Sequence, residues 1–446
     1  MKKIYQKVSF LLVLLAAISA GCKKDVAQEQ EAANPLQPRI FDILRQFSGA
    51  QVISEGDTAK FTGVEITPAD KAIVSWQVNN VEVSKDKKFV FAPKAGGEFT
   101  IKLKVTYNGD STVRSTKVLV NPTTYTFKPY THISMSYLTG DASAANVNFN
   151  NVTHIAYKVG LVSPEGDLDV SSGEVNQKAN ELVARAHIAH VPVIMGISGR
   201  LSGIDGWAIY ETNDFGTAIR DAGKRAKVIA AVKAYVAAKR MDGVDILMTD
   251  INSGNAPDNI HAIGPFLTEL KAALPATAIV TVTATVNYQH WEYPNLSAAS
   301  WVNIHAYEDN GHIGPDAPVD QSSSYDFMVS SANIWTNFHL PASKIVVGMP
   351  AFGLRYNELN AAGNNASWGS YDYATYKAII AADPAAFANE VTTKLGVKTY
   401  YNGVPLISKK SQYVKASGFK GAYLWGGDYD TQDANSLMLA LYNGQK

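Results

Sequence analysis

The chain has 446 residues, 46% hydrophobic and 18% charged, which is enough for more than one buried core. Its 40 Lys and Arg balance 40 Asp and Glu, so it carries no net electrostatic footprint for nucleic acid or for an anionic bilayer. Cys22 is the only cysteine, which excludes an internal disulfide framework; no His, Cys and Asp cluster has metal-ligand spacing, and no cofactor is implied.

Lys2, Lys3 and Lys7 precede the apolar run FLLVLLAAISA, which is too short for a comfortable membrane span, so residues 1–21 read as a signal peptide. The run ends in ISAGC, which resembles the bacterial lipobox. That resemblance implies cleavage before Cys22, lipidation of Cys22 and a membrane-tethered mature protein, held by about 0.8 kcal/mol per buried methylene. Residues 22–38 are polar, contain prolines and lack apolar periodicity, as expected of a flexible tether. Asp25, Glu29 and Glu31 hint at an outer-membrane lipoprotein facing the cell surface.

Residues 39–121 read as a small β-sandwich. Val74, Trp76 and Val78 share one face of a strand, and Phe99, Ile101, Leu103, Val105 and Tyr107 alternate with polar residues. Asn108-Gly109 predicts a tight turn before a second alternating run from Val113. The VSW strand and AGGEFTIKLKV resemble immunoglobulin-like domains of the PKD type, which usually act as spacers and sometimes bind glycans.

From residue 125 to 446 short apolar strands alternate with helical sequence. Strands are expected at 132–137, 153–159, 191–198, 242–248, 278–286, 301–307, 344–350 and 421–426. Between them, Val228, Ile229, Val232, Tyr235 and Val236 form one helical stripe, and Ile263, Phe266, Leu267, Leu270 and Leu274 another. Eight such strands predict an α/β fold, a parallel (β/α)8 TIM barrel. A doubly wound sheet is the rival, weakened because no Gly-rich phosphate loop follows the first strand. In a barrel, residues at the carboxyl ends of strands face the site, and strand alternation puts Asp245, Leu247 and Thr249 on one face. Asp250 has the opposite parity.

The segment DGVDILMTD resembles the D-G-x-D-x-D-x-E signature of family 18 glycoside hydrolases, the chitinases and endo-β-N-acetylglucosaminidases. VPVIMGISG resembles the family's third strand, WVNIHAYED its sixth-strand Met-x-Tyr-Asp motif, KIVVGMPAFG its seventh strand, and YYNGVPLISKKSQYVKASGFKGAYLWGGDYD the approach to its eighth. Asp242 and Asp245 match the first two acids of the signature. Leu247 stands where the resemblance places the aspartate that orients the substrate acetamido group, and Thr249 where it places the proton-donating glutamate. Tyr307 and Trp425 match the motif tyrosine and the floor tryptophan, Tyr137 a pocket aromatic, while His305 and Glu308 replace a methionine and an aspartate.

The family reaction uses the sugar's own acetamido oxygen as nucleophile but still needs a protein acid. A threonine hydroxyl is too weak an acid, and leucine accepts no hydrogen bond. The expectation is therefore a pocket that holds N-acetylglucosamine-containing glycans without cutting them, serving a neighbouring outer-membrane transporter or glycosidase. Tyr137, Asp245, Asn303, His305, Tyr307, Glu308 and Trp425 are the expected ligand-site residues. Of these, Asp245 is expected chiefly to keep a structural hydrogen-bond role, and His305 to be a hydrogen-bonded interior histidine rather than a ligand contact. Trp207, Trp291 and Trp368 lie in loop-like sequence and could extend a groove or simply pack. Two alternatives stand beside this reading: an active glycosidase with relocated acids (Asp245, Asp250 or Glu308), and a protein-interaction scaffold that binds no sugar.

Overall fold

The computed structural model describes residues 37–446 apart from 141–142, 172–174, 200–210, 250–255, 287–289 and 339. The expected signal peptide, Cys22, most of the expected tether, Trp207 and Asp250 lie outside the described residues. The chain divides into two units between Thr123 and Thr124.

In the first unit, the alternating run 97–107 forms a strand, Gly97–Tyr107, paired antiparallel with Asp110–Asn121. Asn108 and Gly109 between them both take left-handed φ values, 50° and 87°, the signature of a tight hairpin turn. Gln51–Ser54, Ile73–Val78 and Val81–Ser84 complete a five-stranded sheet. Two smaller strand pairs, Arg39–Asp42 with Val64–Thr67 and Ala59–Phe61 with Phe89–Phe91, share one core with it. Trp76 is fully buried at the centre of that core, stacked against Phe47 and Phe89, and donates its indole N–H to the Asp86 carbonyl at 2.9 Å.

The second unit is a closed parallel barrel of eight strands: β1 (Ile133–Leu138), β2 (His154–Val162), β3 (Val193–Gly199), β4 (Gly243–Met248), β5 (Ile279–Thr285), β6 (Val302–His305), β7 (Ile345–Pro350) and β8 (Gly421–Trp425). β1 pairs with both β2 and β8, which closes the ring. The strands are buried on both faces, so they read as near-continuous apolar runs. The alternation still sorts them. Val244, Ile246 and Met248 join the large core beneath the helices, whereas Leu247 joins a separate interior cluster with Tyr137, Tyr307 and Tyr423.

The helix before β4, Ala222–Lys239, sets where that strand begins. Asp221 caps its start by accepting from the Lys224 N–H, and Arg240 ends it in the left-handed conformation, φ 57°. Its stripe Val228, Ile229, Val232 and Val236 is buried as the periodicity predicts, and Tyr235 packs at its margin.

Sequence reading assigned the residues after β7 only to the approach to β8. They instead build a four-stranded antiparallel sheet, ordered Tyr371–Thr375, Phe352–Tyr356, Lys398–Tyr401, Val391–Thr392. Its strands are short and several of their residues half-exposed, so no continuous apolar run announces them.

Candidate ligand site at the barrel mouth

The interior of the barrel is organised round Asp245, which is fully buried. Four neutral side chains donate to its carboxylate: Thr281 at 2.5 Å and Asn303 at 3.0 Å to Oδ1, Thr283 at 2.6 Å and Tyr137 at 2.9 Å to Oδ2. Burial raises the Asp245 pKa, and the four hydrogen bonds only partly offset that. Gly196 makes one of these bonds possible, since a Cβ there would sit 2.3 Å from the Tyr137 hydroxyl. Asn303 is equally committed: its amide N–H also reaches Thr283 Oγ1 at 3.1 Å, and its Oδ1 accepts from the Trp301 indole at 2.9 Å.

Nearer the carboxyl ends of the strands the polar layer gives way to aromatic rings. Tyr137 and Trp425 lie 4.7 Å apart, centre to centre. Tyr307 stacks with Trp425 at 6.2 Å and with His305 at 3.9 Å. Gly348 leaves room for this packing, because a Cβ there would fall 2.7 Å from both the Tyr307 and Tyr423 rings. Leu247 is buried among them and Thr249 lies just past β4, partly buried.

At the edge of the rings, His305 Nε2 and Glu308 Oε2 are 2.5 Å apart. Burial pushes the Glu308 carboxyl up, but the hydrogen bond and charge of His305, with the Tyr373 hydroxyl beside them, bring it below the usual glutamate range. Tyr373 belongs to the antiparallel sheet inserted after β7. Its own pKa is raised by burial and by the Glu308 charge. Trp425, His305 and Glu308 thus offer partly accessible ring faces and one ionised acceptor. Such a surface suits the apolar face of a pyranose and its hydroxyls.

Four of the seven expected ligand-site residues, Tyr137, Asp245, Asn303 and Tyr307, are fully buried. Asp245 and Asn303 have no exposed surface and spend their hydrogen bonds on each other and on neighbouring strands, so neither lines a solvent-facing wall. Tyr137 and Tyr307 are also fully buried and serve as the layer under the accessible groups. Asp242, the first acid of the signature, lies below β4. It accepts from the Tyr125 hydroxyl at 2.6 Å and the Val193 N–H at 2.8 Å, with His187 Nε2 at 3.1 Å. Trp291 and Trp368 are half-exposed, Trp291 against His290 and Trp368 against Gly314. Sequence reasoning missed Thr281, Thr283 and Tyr373. The two threonines were signalled by alternation in TVTAT; Tyr373 was not, because its partner is remote in sequence.

The family model for glycosyl hydrolases family 18 matches residues 105–430. A chitinase-like effector from Moniliophthora perniciosa is 24% identical over 252 residues, half of this chain and 55% of that protein. The chain spans between 12% and 55% of the lengths of the curated relatives it matches. A chitinase from Bacteroides thetaiotaomicron superposes with a TM-score of 0.58 at 21% identity, over 71% of this chain and 97% of that one. A chitinase-like agglutinin from Robinia pseudoacacia does so with 0.55 at 17%, over 70% of this chain and 100% of that one.

Proposed function

The chain belongs to glycosyl hydrolases family 18, and from that premise we propose that it holds N-acetylglucosamine-containing glycans, N-glycans or chitin oligomers, in the barrel mouth without hydrolysing them. The observation that carries the proposal is the end of β4. Leu247 is buried in the aromatic cluster where the resemblance calls for an aspartate, and Thr249 follows where it calls for the acid.

General acid catalysis contributes about 10²–10⁴-fold and requires a group that carries a proton near the working pH. Threonine does not supply one. Asp245 retains protons more readily than a free carboxyl, yet it is sealed beneath the mouth and surrounded by donors. Glu308 is accessible, but its lowered pKa leaves it ionised at neutral pH, an acceptor and not a donor. Asp250 lies outside the described residues. The chitinase-like agglutinin supports the idea that this fold can be put to binding.

The retained chemistry is that of a sugar platform: Trp425 for a ring face, His305 and Glu308 for hydroxyls. Isothermal titration with chitin oligosaccharides and N-glycans tests it, paired with product analysis after overnight incubation. Heat without products is the expected result. Products would establish the glycosidase with relocated acids, and no heat from any glycan would leave the scaffold reading.

The same proposal puts the protein on the cell surface through lipid on Cys22, beside a transporter or glycosidase that uses the captured glycan. Labelled palmitate should be incorporated by the wild type and not by Cys22→Ser. Equal labelling of the two would remove the anchor from the proposal.

A further inference from the structure

The opposite end of the barrel holds a cavity of about 290 Å³. It lies where β1 and β2 begin, lined by the segment 128–132, by Ser134 and Thr153, and by residues at the end of the helix Leu437–Gly444 and just after it. Pockets for small ligands start near about 300 Å³, so its size suits a single sugar ring.

Its lining has an unusual polar balance. Gln445 is 3% exposed, and neither its amide nitrogen nor its amide oxygen has a hydrogen-bond partner. A buried amide left in that state is costly, and native structures rarely keep one without a partner. No acidic side chain lines the cavity, yet two lysines do. Lys128 donates to the Phe149 carbonyl at 2.8 Å, and Lys446 lies over the Tyr442 ring at 4.5 Å. Among the described residues neither makes an ion pair. Tyr130 and Tyr442 belong to the same lining.

A ligand that satisfies all of these groups carries an anion for the lysines, hydroxyls that both donate to Gln445 Oε1 and accept from its Nε2, and a flat apolar face for a tyrosine. We propose that this amino-terminal cavity binds a monosaccharide-sized sugar acid. The site is separate from the mouth and does not depend on the function proposed there.

Calorimetry with glucuronate, glucose and inorganic phosphate tests this on the purified protein. Glucuronate should bind, and glucose about tenfold more weakly, since it lacks the charge-assisted contact. Gln445→Leu and Lys128→Met should each weaken glucuronate binding about tenfold, whereas Trp425→Ala should leave it unchanged. Thermal melts of the two cavity variants check that they fold; should Gln445→Leu unfold, Lys128→Met alone decides. No glucuronate heat up to about 10 mM, a value corresponding to negligible affinity, would overturn the proposal. So would displacement of glucuronate by equimolar phosphate, unchanged affinity in Lys128→Met, or loss of binding in Trp425→Ala.

Discussion

The barrel interior and its rim are each organised round one carboxyl group, and the two are handled in opposite ways. Asp245 sits in the interior among four neutral donors from three other strands, with its pKa raised by burial. Glu308 sits at the rim against a histidine, with its pKa lowered. Hydrogen bonds from neutral groups do not offset the desolvation of the first, while the hydrogen bond and charge of His305, with the Tyr373 hydroxyl, do so for the second. The difference separates a group that ties strands together from one that stays partly exposed at the rim.

The largest test of that separation is stability. Asp245→Ala strands four buried donors at once and should cost about 4 kcal/mol in urea unfolding. Glu308→Ala, at a partly exposed pair, should cost no more than about 1 kcal/mol. Equal losses would erase the distinction. Next in size is glycan binding. Trp425→Ala should lose about 2 kcal/mol, roughly thirtyfold in affinity, with the fold intact by circular dichroism. Unchanged affinity would make Trp425 packing only.

The two carboxyls should also give opposite pH slopes. The folded-state pKa of Glu308 is depressed, so its contribution is present above the ordinary glutamate pKa and is lost as pH falls through the folded value. The folded-state pKa of Asp245 is raised, so its contribution is present below the ordinary aspartate pKa and is lost as pH rises through the folded value. Unfolding midpoints from pH 3 to 7 for wild type, Glu308→Gln and Asp245→Asn should therefore diverge in opposite directions. Slopes of one sign would contradict the assignment. Smallest of all is the expected effect of Thr249→Glu on hydrolysis: no detectable product, because Leu247 still offers nothing to an acetamido group. Turnover by that single variant would show that the missing acid was the whole deficit.

Much of this architecture could be read in the sequence because barrel strands are apolar on both faces. All eight appeared as short runs, and parity put Asp245 and Leu247 on one face, which the structure turns inward while Val244, Ile246 and Met248 face the helices. The aromatic tier was legible only through family resemblance, since alternation does not distinguish a ring at the mouth from one beneath it. Tyr307 and Tyr137 prove to be fully covered, whereas Trp425 and His305 are not. Asn303 is covered in the same way: facing inward is not facing solvent. The contact between Tyr373 and Glu308 was not legible, because it joins residues 65 positions apart through a sheet whose strands, Phe352–Tyr356 and Tyr371–Thr375, are five residues each. The cavity around Gln445 is likewise assembled from the first and last parts of the barrel.

The antiparallel sheet between β7 and β8 hangs one phenol over the rim. Ligand choice in such a molecule can drift by exchanging an appendage while the ring of strands stays as it is. Exchanging that sheet is a route to new preferences that leaves the eight parallel strands untouched.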